Sequence, residues 1–114
     1  MLYNNDFSHD LEIGQIGEKA LGNILENKKV EVKTDFIAQR TGNVFVEYES
    51  RGKPSGIAKS QADYWCFVLS NHQIVLITSE KLKEIARKHL GKSVLGGDNN
   101  TSKGVLVPVK ELLI

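Results

Sequence analysis

Leu11, Ile13, Ile16, Ala20, Leu21, Ile24 and Leu25 recur at helical spacing, the pattern of a helix buried along one side. This spacing predicts a first helix from Asp10 to about Asn27, with Asp10 as its N-cap and Glu12 near the positive end of the dipole. Gly14, Gly17 and Gly22 fall inside it, each costing about 1 kcal/mol relative to alanine, so that face is expected to pack closely against something. Residues 1–9 before it read as an N-terminal arm, ordered by Leu2, Tyr3 and Phe7. From Val30 the period changes to two. Val30, Val32, Thr34 and Phe36 alternate with Glu31, Lys33 and Asp35, and after the turn residues Gln39–Asn43 a second strand runs from Val44 to Ser50. A turn centred near Thr41 sets Asp35 about opposite Glu47.

Arg51–Lys59 reads as a loop, and Ser60–Tyr64 as a short helical turn. Tyr64–Leu69 and Gln73–Thr78 are apolar strands joined by a tight connection. Ser79 caps a second helix that Gly91 closes. The glycine-rich stretch Gly96–Gly104 is a candidate mobile loop, and Val105–Val109 is a last strand whose Pro108 suggests a sheet edge. The expected class is α/β (mixed α+β), a central mixed sheet of four or five strands flanked by helices, in the order α, three or four strands, α, strand.

A chain of 114 residues supports one domain with one core. A formal net charge of +1 supplies no global basic field, so any nucleic-acid binding must come from a local patch. The single cysteine, Cys66, excludes an intrachain disulfide and a multi-cysteine zinc site, and within YWCFVL it reads as a small buried hydrophobe. His9, His72 and His89 lack metal-ligand spacing. MLYNNDFSHDLE has neither the basic start nor the apolar run of a signal peptide, and no segment approaches membrane-spanning length, so the expected location is cytoplasmic.

Chemistry enters with the carboxylates. Glu47 and Glu49 point to the same side of one strand, and Asp35 ends the strand before it. Neighbouring like charges without a cation are unfavourable, whereas two or three convergent carboxylates suffice for Mg2+ or Mn2+. The competing reading is a solvated sheet face. The loop Ser50–Gly56 lacks the spacing of a Walker A motif, but its glycines let backbone N–H groups approach phosphate, and Arg51 and Lys53 supply charge. An ordinary surface loop is the alternative. Lys81, Lys83, Arg87, Lys88 and Lys92 make the second helix cationic, either as a solvated face or as an auxiliary contact.

An acid on a first helix (Gly17-Glu18), an acid closing a strand (Asp35) and the pair Glu47-Tyr48-Glu49 on the next strand resemble the PD-(D/E)XK nuclease superfamily. The similarity covers about residues 11–109. It implies a restriction-endonuclease-like core and a Mg2+-dependent endonuclease acting on DNA, with Asp35, Glu47 and Glu18 as metal ligands. Small members commonly act as dimers, so the resemblance also implies a homodimer. The family has lysine where this chain has Glu49, so Glu49 itself, or Lys33 or Lys53, is expected to handle the attacking water. Arg51, Lys53, Ser55 and Gln61 are the expected DNA-backbone contacts. The departure at Glu49 leaves room for an inactive nuclease-fold module that binds nucleic acid or protein.

Overall fold

The computed structural model describes residues 7–114, with side chains from Ser8 onward, so Leu2, Tyr3 and the Phe7 side chain lie outside the described residues. Helix α1 spans Phe7–Leu25 and starts before the expected Asp10 cap. Residues 7–9 are therefore helical rather than part of an arm, and Asp10 sits in the first turn, where the dipole still favours its charge.

The expected hairpin between the first two strands does not form. After β1 (Val30–Thr34) the chain makes one helical turn, α2 (Ala38–Thr41), which Gly42 closes at φ 76°. That turn redirects β2 (Asn43–Ser50) into a different sheet. Strand β1 pairs in parallel with β4 (Tyr64–Ser70), which pairs antiparallel with β5 (Gln73–Thr78), giving the order β1-β4-β5. The second sheet is antiparallel, in the order β3 (Lys53–Pro54), β2, β7 (Ser102–Pro108), β6 (Val94–Gly96). The architecture is mixed α+β, as expected, but two sheets replace the single central sheet. Glu47 pairs with Gly104, not with Asp35.

One core lies between the sheets and helix α3 (Ser79–Arg87). Its fully buried members include Trp65 and Phe67 from one sheet, Val44, Val46, Val105 and Val107 from the other, and Leu82 from α3. The helix takes its cap one residue earlier than expected. Thr78, in extended backbone, accepts the Lys81 N–H on Oγ1, and Ser79 instead donates its hydroxyl to the Ala62 carbonyl oxygen. The helix ends at Arg87, short of Gly91, which lies in a separate 3-10 turn at Leu90–Lys92.

Three further expectations change. Gly96–Gly104 is largely built into β6, a 3-10 turn at Asp98–Asn100 and β7, rather than left as a loop. Strand β7 is interior, and Pro108 is tolerated because it stands at the strand end, beyond the stretch that β6 pairs. The short helix expected at Ser60–Tyr64 is displaced to a 3-10 turn at Gly56–Ala58.

The faces of β1 are inverted relative to the usual apolar-in arrangement. Glu31 and Lys33 stand in register with Trp65 and Phe67, on the core side, and the Lys33 ammonium lies 6.0 Å from the Trp65 ring centroid. Val30 and Val32 face outward and are exposed. Among the described residues, no helix is long and apolar enough to cross a membrane.

Candidate functional site

The site is organised by the open edge of β2. Strand β3 covers that edge only at Glu49 and Ser50, so the N-terminal half of β2 needs other partners for its outward N–H groups. Asp35 supplies one. Its backbone N–H donates to the Val68 carbonyl, which ties it to the first sheet, and its Oδ2 accepts the Phe45 N–H at 3.0 Å. A single carboxylate thereby joins the two sheets two residues from Glu47.

Glu47 and Glu49 are half-buried, and the same-side arrangement expected of them is broken: Glu47 pairs with Gly104 on the Phe45 side of β2, and Glu49 with the adjacent Lys103, which alternates to the other side. The register shifts between them, so a bulge separates the two acids, and Lys103 stands opposite Glu49. The segment after them is a tight hairpin rather than a loop. Arg51 at φ 51° and Gly52 at φ 79° form its two-residue tip, the pattern of a type I′ turn. Both Arg51 and Lys53 are exposed there, and the Arg51 N–H donates to the Thr101 carbonyl. Gly56, at φ 52°, then lies directly on the Glu47 backbone. A β-carbon at this position would collide with the Glu47 carbonyl oxygen, so only glycine lets the chain close here.

The other expected residues are placed as follows. Ser55 donates its backbone N–H to the Tyr48 carbonyl, while its Oγ is buried and finds no partner among the described residues. Gln61 is exposed in the irregular link before β4. Lys33 reaches toward Trp65. Glu18 is exposed on α1. Among the described residues, no three of the histidine, cysteine, aspartate and glutamate side chains come together as a ligand group. The structure thus associates Asp35 with the strand that carries Glu47 and Glu49, and it leaves Glu18 apart.

Sequence reasoning missed Lys103 and a cleft of about 310 Å3 on the opposite side of β2. Val46, Tyr48, Ile57 and Leu90 form its apolar walls, and Lys83 and Arg87 its cationic rim. The spacing of Lys83 and Arg87, four apart on one helix, was the available signal. Tyr48 fixes the wall by donating its hydroxyl to Ser93 Oγ at 2.7 Å. Cys66 is buried, and burial pushes its thiol above the ordinary value, which fits a packing role.

Comparison with protein-family models, with curated proteins and with solved structures gives no match to this chain.

Proposed function

We propose that the protein is a metal-dependent endonuclease-like hydrolase of DNA phosphodiesters, with Asp35 and Glu47 as its central acids. The observation that carries this reading is the anchoring of the Asp35 carboxylate on the Phe45 N–H, beside the strand bearing Glu47 and Glu49 and next to a hairpin with two exposed cations. Mg2+ retains several waters and needs only one or two protein carboxylates when substrate phosphate completes its shell. The donor set of Asp35 and Glu47 fits that minimal arrangement, not a closed protein cage. When bound, the metal would polarise the phosphate and acidify a water.

The chain's own residues supply the rest. Arg51 and Lys53 hold neighbouring phosphates by charge. Glu49 accepts the proton of the attacking water, at the position where the resembling family carries lysine. Glu18 takes no part within one chain, because it stands on the exposed helix.

One observation favours a second reading, an inactive nuclease-fold module that binds nucleic acid. Asp35 is already engaged in holding β2, and no third acid joins it among the described residues. Cleavage assays on duplex and branched DNA with Mg2+ and with Mn2+ separate the two. The enzyme reading expects cleavage that Glu47→Gln reduces at least about 100-fold with the thermal melt unchanged, since losing a metal ligand removes several kcal/mol of transition-state stabilisation. Binding by the wild type without cleavage under either metal establishes the module instead.

A further inference from the structure

Two apolar surfaces are left uncovered by the described residues, and they match. The first is the outer face of the β1-β4-β5 sheet. Val32, Cys66 and Leu76 stand in one register row, with Val30, Val68 and Ile74 around them, and no charged residue interrupts the rows. Val32 is 57% exposed and Ile74 58%. The second is the side of α1 carrying Ile13, Ile16, Gly17, Ala20, Leu21 and Ile24, a continuous three-and-four stripe in which Ile16 is 65% and Leu21 53% exposed.

Helix α1 lacks the support that holds most helices. Helical stability in proteins comes mainly from packing of the apolar face, and this 19-residue helix also carries three glycines, each costing about 1 kcal/mol. Among the described residues, no atom beyond the helix's own neighbouring backbone lies within 4 Å of where a β-carbon on any of them would be, so the close packing those glycines permit is not realised there. The helix instead projects from the body. The molecule measures 56 × 32 × 28 Å, and a helix of this length accounts for about 28 Å of the long axis. Its radius of gyration is 16.8 Å, against about 13 Å for a compact domain of similar size.

The link to β1 sets that direction. Asn27 takes a left-handed conformation (φ 50°). Lys29 is pinned at both backbone groups: its N–H donates to Asp63 Oδ2 at 2.9 Å, and its carbonyl accepts the Asp63 and Tyr64 N–H groups. A short hinge fixed at one end, with its helix directed outward, is the arrangement from which identical elements are exchanged between protomers.

We propose that the protein forms a two-fold symmetric homodimer in which α1 of each protomer lies across the outer β1-β4-β5 face of the other. A helix about 10–12 Å wide suits a face of three strands spaced about 4.8 Å apart. Gly17 and Ala20, at the middle of the stripe, admit the close approach that the central row needs. Each helix–sheet contact buries on the order of 500 Å2, and two together reach about the 1,000 Å2 at which a biological interface begins. Neither surface offers a charge, so water-excluded packing leaves no ion unpaired. The occupant is a second copy because the matching stripe belongs to this same chain. The inference does not rest on the nuclease-like reading, and cleavage is not its readout.

Sedimentation equilibrium on the full chain at micromolar concentration is expected to give twice the monomer mass. The double variant Ile16→Glu/Leu21→Glu should weaken dimerisation at least about 100-fold by placing charges in the contact, while the body still folds and melts cooperatively as a monomer, since no α1 residue belongs to the core. Ala20→Cys, oxidised in the otherwise native chain, should form a disulfide with Cys66 of the partner subunit and run at twice the chain mass on a non-reducing gel. Adding Cys66→Ser should remove that band. A monomeric wild type overturns the proposal. So does a disulfide that the Ala20→Cys variant closes to Cys66 within one chain, which would mean that α1 folds onto its own sheet. A dimer band that survives Cys66→Ser overturns it as well.

Discussion

At the scale of single residues, Asp35 carries the largest share of the argument, because one carboxylate serves both the fold and the candidate chemistry. Its Oδ2 satisfies the Phe45 N–H on a half-buried strand edge, and a hydrogen bond to a charged acceptor contributes more than one to a neutral acceptor. Asp35→Ala should therefore lower unfolding stability by about 1–2 kcal/mol, read from urea denaturation. Asp35→Asn keeps an acceptor oxygen and should cost less than half as much, yet it should abolish cleavage as fully as the alanine variant. Equal stability in all three proteins would mean that the sheet junction does not depend on this bond. The role of Asp35 as a strand-end acid was legible from its place after an alternating run. Its partner was not, because the turn between the strands hides a helical segment whose geometry depends on Gly42.

Among the elements, the β2-β3 hairpin has the clearest functional consequence. A turn with both central residues at positive φ holds Arg51 and Lys53 outward on a rigid support rather than on a mobile loop. Cations of this kind meet the DNA backbone before any base edge. Replacing both with alanine should weaken DNA binding alike across sequences and flatten the log–log salt dependence by about 1.8, two phosphate contacts at about 0.9 each. If affinity and salt slope are unchanged, Lys83 and Arg87 at the rim of the cleft become the DNA-facing cations. Helix α3 lies close to the bounds that its periodicity predicts, since its apolar positions face one core. Strand β1 stands where the alternation places it but faces the other way. An edge strand can turn its charged side inward when a long lysine side chain lies along a tryptophan ring, and period-two alternation does not say which side is the core.

The molecule as a whole has a closed core and an unfinished exterior. Two sheets and α3 enclose Trp65, Phe67 and the paired valines, while among the described residues nothing covers α1 or the outer face of β1-β4-β5. In the exchanged dimer, the folded state is stabilised by association, so its melting temperature becomes concentration-dependent. Calorimetry over a hundredfold dilution series should show the wild type melting at lower temperature as it is diluted. The Ile16→Glu/Leu21→Glu variant should melt at one temperature throughout. A wild-type melt independent of concentration would place the stability of the body entirely within one chain.

Local pattern was enough to establish the mixed α+β class, every major helix and strand except the short β3 and β6, and the burial of Cys66 within an apolar strand. These follow from periodicity and from the cost of exposing large apolar side chains. The same pattern brought forward Asp35, Glu47 and Glu49 as the acids of interest, because clustered charge on a strand needs a reason. Three features came only with the assembled fold: β1 and β2 belong to different sheets, Asp35 reaches Phe45 instead of facing Glu47, and Gly56 lies against the Glu47 backbone. Strand pairing and long-range hydrogen bonds are fixed by the joint packing of segments far apart in the chain, which no local pattern encodes. The three glycines of α1 stand between the two. Their positions in the sequence announced a close contact, and the described residues of the same chain do not make it.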